Sequence, residues 1–436
     1  MATDKNSAES WRRTFAVVWL ANLITSIGMM SFLPFFPSLL RGLGLEDPAE
    51  VRLWAGLCFG AAPLSATLMS PVWGSLGDRL GRKIMVVRSM LAIALFVGAM
   101  AFVSSPGQLL AMRIGQGLFS GFIPPSITLV SVAAPVDRQG RVAGWLTTSL
   151  AIGGMFGPLL GGWASVRFGN HQSVFFIVGG LALFGAALVA LFAREDKSLR
   201  RRVDQHSDVS PVANALRSLR GDLGEVLASP VLRGTLALVF ALQLGLGAVN
   251  PVLEDYVAEL FQGLDARAML WADWLRALSA EKLDDTQDLA TYATSLAFGV
   301  MALANLVALP LWGRYGDRAG HRRALTLCTV GSIAALGLQA AVPAYPALLV
   351  GRLLLGVAMA GVGPLAFGLA AAETGADRRG GAFGAVFSAR TLAVAIGGAA
   401  GGAMAGGLGI RAVMLSGCIA MGIALLAFAR ARPARE

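Results

Sequence analysis

The residues of this chain with chemistry to offer are arginines and carboxylates set inside long apolar runs. Arg113 and Arg352 each sit within such a run, where insertion of an arginine costs at least about 2.5–3.5 kcal/mol. Each therefore faces a cavity, meets a partner, or is held structurally by neighbouring backbone carbonyls. Arg390 lies about ten residues into another run, roughly 15 Å deep at 1.5 Å per residue, and is a candidate to contact an acidic partner or a substrate. Glu254 and Asp255 follow Asn250-Pro251 late in a run. They are the nearest candidates for binding and releasing a proton, the alternative being a solvated helix end. The first six runs hold no central Asp, Glu or His. A further pattern, Gly74-x-x-x-Asp78-Arg79-x-Gly81-Arg82-Lys83, combines glycines that allow a tight turn with a carboxylate able to pair with cations or cap a helix. Enzyme chemistry finds no support. His171, His206 and His321 lie in loops without a metal pair, and Cys58, Cys328 and Cys418 share no ligand spacing. Gly115-x-Gly117 sits in an apolar helix with no strand before it, so it is no dinucleotide fingerprint. No metal and no cofactor are expected.

The elements that position these residues follow from composition. The chain is 56% hydrophobic and 14% charged, with 54 glycines and a mean hydropathy of +0.65, which describes a polytopic membrane protein. Its net charge of +10 is spread over short stretches between apolar runs rather than gathered on a face or tail, which argues against nucleic acid. Spans are expected near 14–40, 50–73, 84–103, 107–133, 142–166 and 172–193, then 231–257, 290–313, 324–342, 345–371, 382–408 and 411–430. Each is long enough to cross lipid only as a helix, since every backbone group must be satisfied within its own segment. Basic residues recur before the first span and after every second one, from Arg82 and Lys83 to Arg322 and Arg323. The intervening stretches are poor in basic residues or acidic. By the positive-inside rule both termini are cytoplasmic, and the twelve spans sit in the cell inner (plasma) membrane. The acidic stretch 261–289 is an outer loop, in which Trp271, Trp274, Leu275 and Leu278 recur at helical spacing, for an interfacial helix or one folded on the rim.

The chain repeats itself. Pro71-Val-Trp73-Gly74-Ser-Leu-Gly77-Asp78-Arg79-Leu-Gly81 returns as Pro310-Leu-Trp312-Gly313-Arg-Tyr-Gly316-Asp317-Arg318-Ala-Gly320, an offset of 239 (310 − 71). Arg113 and Arg352 share that offset. Gly157, Gly161 and Gly162 meet Gly397, Gly401 and Gly402 one residue later. Residues 1–193 thus form an N-terminal six-helix half, 194–230 a basic cytoplasmic linker and 231–436 a C-terminal six-helix half. Two halves related by a pseudo-two-fold axis along the membrane normal can alternate access to a cleft between them.

On these residues the chain resembles the major facilitator superfamily, whose signature is the Gly74–Lys83 motif. Leu109-x-x-x-Arg113-x-x-Gln116-Gly117 matches the superfamily pattern of span four. Gly144, Gly153, Gly157, Pro158, Gly161 and Gly162 in span five look like the antiporter motif. Gly28-(five)-Pro34-Phe-Phe-Pro37 in span one is similar to a pattern of the twelve-helix drug:proton antiporter branch, with bacterial multidrug exporters the nearest likeness. The resemblance implies proton-coupled efflux of lipophilic, cationic or neutral compounds by a monomer. It makes Arg113 an aid to proton movement, and the span-five glycines a face that packs the halves together and limits leak. Asp78 would stabilise the outward-facing form by capping span eleven, Arg82 would pair with Asp137, and Asp317 and Arg318 would repeat the switch in the second half. A cavity between spans one, four, seven and ten would be faced by Met29, Met30, Phe32, Gln116, Phe119, Gln243, Asn250 and Met359. A specific metabolite exporter or uptake symporter, or a transport-inactive sensor or scaffold, are the other readings.

Overall fold

A computed structural model describes residues 2–135, 139–168, 172–195, 228–262, 286–374 and 379–431, with the single positions 224, 273 and 275. The side chains of residues 2–10, 71, 75, 78, 79, 132, 139–141, 143, 144, 379 and 380 fall outside that description. So do Asp137 and nearly all of the linker 196–227 and of the loop 263–285, together with the helix expected around Trp271.

Twelve apolar segments run back and forth through the bundle. Span one is Ala2–Ser31 continued by Phe36–Gly42; spans two and three are Pro48–Leu80 and Arg82–Ala99. Span four comes in two pieces, Pro106–Phe119 and Ile123–Ala133, and spans five and six are Gln139–Phe168 and Gln172–Phe192. Span seven is Pro230–Val249 continued by Leu253–Gln262, and spans eight and nine are Thr286–Ala319 and His321–Ala341. Span ten is Tyr345–Ala360 continued by Val362–Glu373, and spans eleven and twelve are Arg379–Leu408 and Ile410–Arg430. Eleven are long and apolar enough to cross a membrane by that measure alone, and span four joins them once its two pieces are added. Large apolar side chains such as Leu95, Leu191, Ile419 and Ile423 cover the outside, which lipid accepts without the cost water would impose.

Four spans are interrupted where the sequence places proline or glycine, span ten by the single residue Gly361. Leu33–Phe35 around Pro34 and Asn250–Val252 around Pro251 are 3₁₀ turns in spans one and seven. Span four breaks at Ser120-Gly121-Phe122, where Gly121 has φ +121°. Proline cannot donate to the preceding turn, and this φ is open to glycine with little strain.

The repeated motif is helix rather than loop, contrary to expectation. Spans two and eight continue through Asp78 and Asp317 to Leu80 and Ala319. One residue then suffices to turn the chain: Gly81 at φ +103° and Gly320 at φ +89°, whose N–H groups reach the carbonyls of Gly77 and Gly316, both at 3.0 Å. The repeat extends to side chains. Trp73 Nε1 donates to the Leu118 carbonyl and Trp312 Nε1 to the Val357 carbonyl, each at 2.7 Å, tying span two to four and span eight to ten at the same offset.

Each half has its own buried core. The halves meet along two seams, span two against eleven and span five against eight. Backbone approaches at Ala49–Gly406, Gly56–Gly398 and Gly60–Ala395 close the first seam, and the Ser295 and Leu159 side chains against Gly162 and Gly299 close the second. These contacts concentrate at the end opposite the chain termini, here the distal end. Toward the termini the halves part.

Candidate functional site

The parting of the halves leaves a cavity of about 690 Å³, within the range of pockets that hold drug-sized ligands. Its floor lies near Met29, Met30, Arg113, Gln116 and Asn250, and it runs along Thr67, Trp73 and Gly77 of span two toward the termini. The broken stretch of span four, Ser120 to Pro125, forms part of its wall, where irregular backbone is tolerated because it faces a cavity rather than lipid.

Arg113 stands between the cavity and span two. Its Nε donates to the Cys58 carbonyl at 2.8 Å, Nη2 to the Phe59 carbonyl at 3.3 Å and Nη1 to Gln116 Oε1 at 2.5 Å. The Phe32 and Phe36 rings lie 5.5 and 5.4 Å from its guanidinium carbon. The structural alternative for this arginine is therefore present in full, and the charge still borders the cavity. Arg352 has fewer partners: Nη1 reaches Asn250 Oδ1 at 3.4 Å, while Nε and Nη2 have none among the described residues.

Several expected cavity residues are elsewhere. Met29, Met30, Gln116 and Asn250 line it. Phe119 is exposed and stacks on Phe96, with ring centroids 5.8 Å apart. Phe32 is buried against Phe36 and Phe175. Gln243, with its amide oxygen turned to Arg390, accepts from Nε and Nη2 at 2.9 and 3.2 Å, so that pair joins span seven to eleven instead of facing a ligand. Met359 packs beside Arg352 and Met421 in the C-terminal core.

The span-five glycines also do something other than expected. A Cβ on Gly153, Gly157 or Gly161 would collide with Ser26, Met30 or the Ser31 carbonyl of span one, inside the same half. Gly162 faces Ser295 of the other half. The second copy behaves alike: Gly397 and Gly401 press on span seven, and Gly402 on Arg52 and Gly56 of span two. The stripe is thus chiefly a close helix contact within each half, as small residues provide in lipid, with one position crossing the seam. Pro158, between Gly157 and Gly161, lines the cavity, and Gly144 falls outside the side-chain description.

At the distal end, charges bind the halves together. Asp255 accepts from Arg41 Nη2 at 2.6 Å and from Arg52 Nε at 3.0 Å, and Arg52 Nη2 reaches Glu259 at 2.8 Å. Arg52 Nη1 also donates to the Ala405 carbonyl at 3.1 Å. Beside them Glu254 is buried and accepts from the Ser38 N–H at 3.0 Å, from the Ser38 hydroxyl, and from Thr291 Oγ1 at 2.6 Å. Far from being a solvated helix end, Glu254-Asp255 is buried where the two halves meet. Ser38, Arg41, Arg52, Thr291 and Glu259 were not legible as its partners. Their only sequence signal is that Arg41 and Arg52 are basic residues flanking an otherwise acidic stretch.

At the opposite end nothing comparable holds the described residues together. Asp317 and Arg318 are exposed, with Asp317 3.8 Å from His321 Nε2 one turn on. The side chains of Asp78 and Arg79, and Asp137, lie outside the described residues, so the capping and pairing expected of them stay proposals. The N-terminus of span three is capped instead by Glu195, which accepts from the backbone N–H groups of Arg82 and Lys83 at 2.8 and 3.3 Å. Its sequence signal was an acidic pair, Glu195-Asp196, in a basic stretch.

Comparison with known proteins agrees with this architecture. The family model described as Major Facilitator Superfamily matches residues 18–272 and 235–436. The MFS-type transporter YuxJ of Bacillus subtilis is 30% identical over 80% of this chain and 80% of its own length. The multi-drug resistance efflux pump PmrA of Streptococcus pneumoniae is 27% identical over 74% of this chain and 72% of its own. The multidrug resistance protein MdtG of Serratia proteamaculans is 29% identical over 80% and 76%. Among solved structures, a bacterial homolog of the human lysosomal transporter Spinster, inward-facing and occupied, superposes with a TM-score of 0.71 at 14% identity, covering 96% of both chains. A matching family model across both halves, a relative at 30% identity and a shared two-halved bundle make the chain a member of the Major Facilitator Superfamily, a membrane transporter and not an enzyme.

Proposed function

We propose that this transporter exports lipophilic small molecules by alternating access in exchange for protons, and that Glu254 binds the proton. The end bearing the basic stretches and both termini is then cytoplasmic, the membrane is the inner membrane, and the cavity receives substrate from the cytoplasm. The single observation that carries the reading is the burial of Glu254 between spans one, seven and eight at the closed distal gate. Opening that gate must break its bonds to Ser38 on the other half and bring the carboxyl to outside water, where it takes up a proton. A neutral acid costs far less to rebury than a carboxylate, so protonation favours the return to the closed form. Release follows toward the cavity, where Asn250, one turn below, forms part of the wall. The relatives named as efflux pumps support export as the direction.

The test is dye efflux in everted vesicles with and without a proton gradient. The wild type loses transport when the gradient is collapsed. Glu254→Gln, which keeps the shape and removes the titration, binds substrate yet transports without pH dependence or not at all. Gradient-independent export by the wild type, or an unaltered pH profile in Glu254→Gln, refutes the assignment.

A further inference from the structure

We infer that the cavity is built for an amphipathic organic anion rather than for the cationic or neutral lipophilic compounds that the family resemblance implied. The inference rests on the transport reading and names the substrate class of the same cavity. Among the described residues that line it, the charged side chains are Arg82, Arg88 and Arg113, and none is acidic. They form a descending series: Arg82 at the termini end, Arg88 two turns deeper on span three, and Arg113 at the floor.

None of the three has a carboxylate partner among the described ion pairs. Arg88 lies over Trp73, its guanidinium carbon 3.4 Å from the ring centroid, and spends one donor on Ser89 at 2.9 Å. Its Nε and Nη1 are buried without acceptors. Arg113 is satisfied only by neutral oxygens, which leave its charge in place. The floor adds donors and few acceptors. Gln116 is fully buried, gives its oxygen to Arg113 and leaves Nε2 without a partner. Asn250 turns its oxygen to Arg352, a further positive charge behind the wall. Among the described carboxyls, Glu254 and Asp255 are held at the distal gate by Ser38, Thr291, Arg41 and Arg52, and Glu195 is spent on the backbone N–H groups of Arg82 and Lys83.

A cleft whose described lining carries three arginines and no carboxylate, with low-dielectric walls, concentrates anions and repels cations. Around the charges lie Met29, Met30, Phe122, Phe298, Met301 and Phe387, surfaces that fit varied apolar bodies. The matching ligand carries one or two acidic groups, carboxylate or sulfonate, on an aromatic or aliphatic frame. An anionic lipid headgroup with its chains has the same chemistry.

Tetraphenylborate and tetraphenylphosphonium, nearly equal in size and opposite in charge, provide the test. Their binding to the purified wild type in phosphatidylcholine nanodiscs is measured against empty discs. The wild type is expected to bind the borate at least about tenfold more tightly than the phosphonium. Arg88→Gln and Arg113→Gln each shrink that preference by about threefold or more, and Arg113→Lys restores it. If Arg113→Gln does not fold, the wild-type ratio and Arg88→Gln decide the matter. Equal or tighter phosphonium binding overturns the inference, as does no binding of either ion, or a preference that neither neutralisation changes. Loss of borate binding when phosphatidylglycerol is added, beyond the change in empty discs, keeps the anion site and assigns it to lipid. Efflux of neutral dyes from everted vesicles is scored in parallel. Efflux without borate preference sinks only the substrate class, whereas no efflux of any dye sinks the export reading.

Discussion

Replacing Asp255 by asparagine removes the charge that holds the distal gate while keeping the side chain's shape. The carboxylate accepts from Arg41 at 2.6 Å and Arg52 at 3.0 Å and is 2% exposed, whereas the arginine side chains are 34% and 16% exposed. Hydrogen bonds to charged groups contribute about 1.5–3 kcal/mol each when sheltered, and exposure of one partner reduces this. Together the two pairs favour the closed gate by about 2–4 kcal/mol. At 1.4 kcal/mol per factor of ten, that is about 30- to 700-fold in the ratio of closed to open forms. Asparagine still offers one neutral acceptor, so the shift falls near the lower figure. The assay uses Ala405→Cys as reporter, a fully buried position whose carbonyl accepts from Arg52. The native Cys58, Cys328 and Cys418 are replaced by alanine, and reaction with a membrane-impermeant maleimide is followed in right-side-out vesicles. Asp255→Asn should raise the rate by about 30-fold, and Arg52→Gln in the same direction. A rate within about twofold of the parent in both variants means that these pairs do not hold the gate, and the reasoning fails.

Other outcomes follow from the packing. Gly161→Ala and Gly401→Ala drive a methyl into the Ser31 and Ala248 carbonyls, costing about 1–3 kcal/mol and lowering the melting temperature in detergent, while Gly313→Ala, with open space around it, leaves it unchanged. Trp73→Phe and Trp312→Phe each lose one hydrogen bond of the same kind, so their losses in thermal stability should match at about 1 kcal/mol. Gly121→Ala strains the backbone at φ +121° by about 1–3 kcal/mol and should slow transport more than it reduces binding, as read from initial rates and equilibrium binding.

Much of the fold was legible in the sequence because its causes are local. Lipid demands about twenty apolar residues per crossing. The offset of 239 residues in the repeated motif carries over to Trp73 and Trp312 with identical hydrogen bonds. The site was legible only in part. A helix face toward lipid, one toward a neighbour and one toward a cavity are all apolar in a membrane protein, so periodicity does not tell them apart. Phe119, Gln243 and Met359 were misplaced for that reason, and the glycines of span five were assigned to the wrong neighbour.

Arg113 and Glu254 show where the division falls. The sequence by itself determined that each is an ionisable group inside an apolar run, and that such a group needs a partner or a cavity. Which of these it has depends on the rotation and height of helices distant in the chain. Arg113 found the carbonyls of span two, 55 and 54 residues away, with the cavity at its side. Glu254 found Ser38, 216 residues away on the other half. Only tertiary structure places those groups within hydrogen-bond reach, because the bonds form between surfaces whose apposition no single segment encodes. The same apposition, closed at the distal end and parted toward the termini, decides that Arg82, Arg88 and Arg113 line the cavity while Glu254 and Asp255 are held at the distal end.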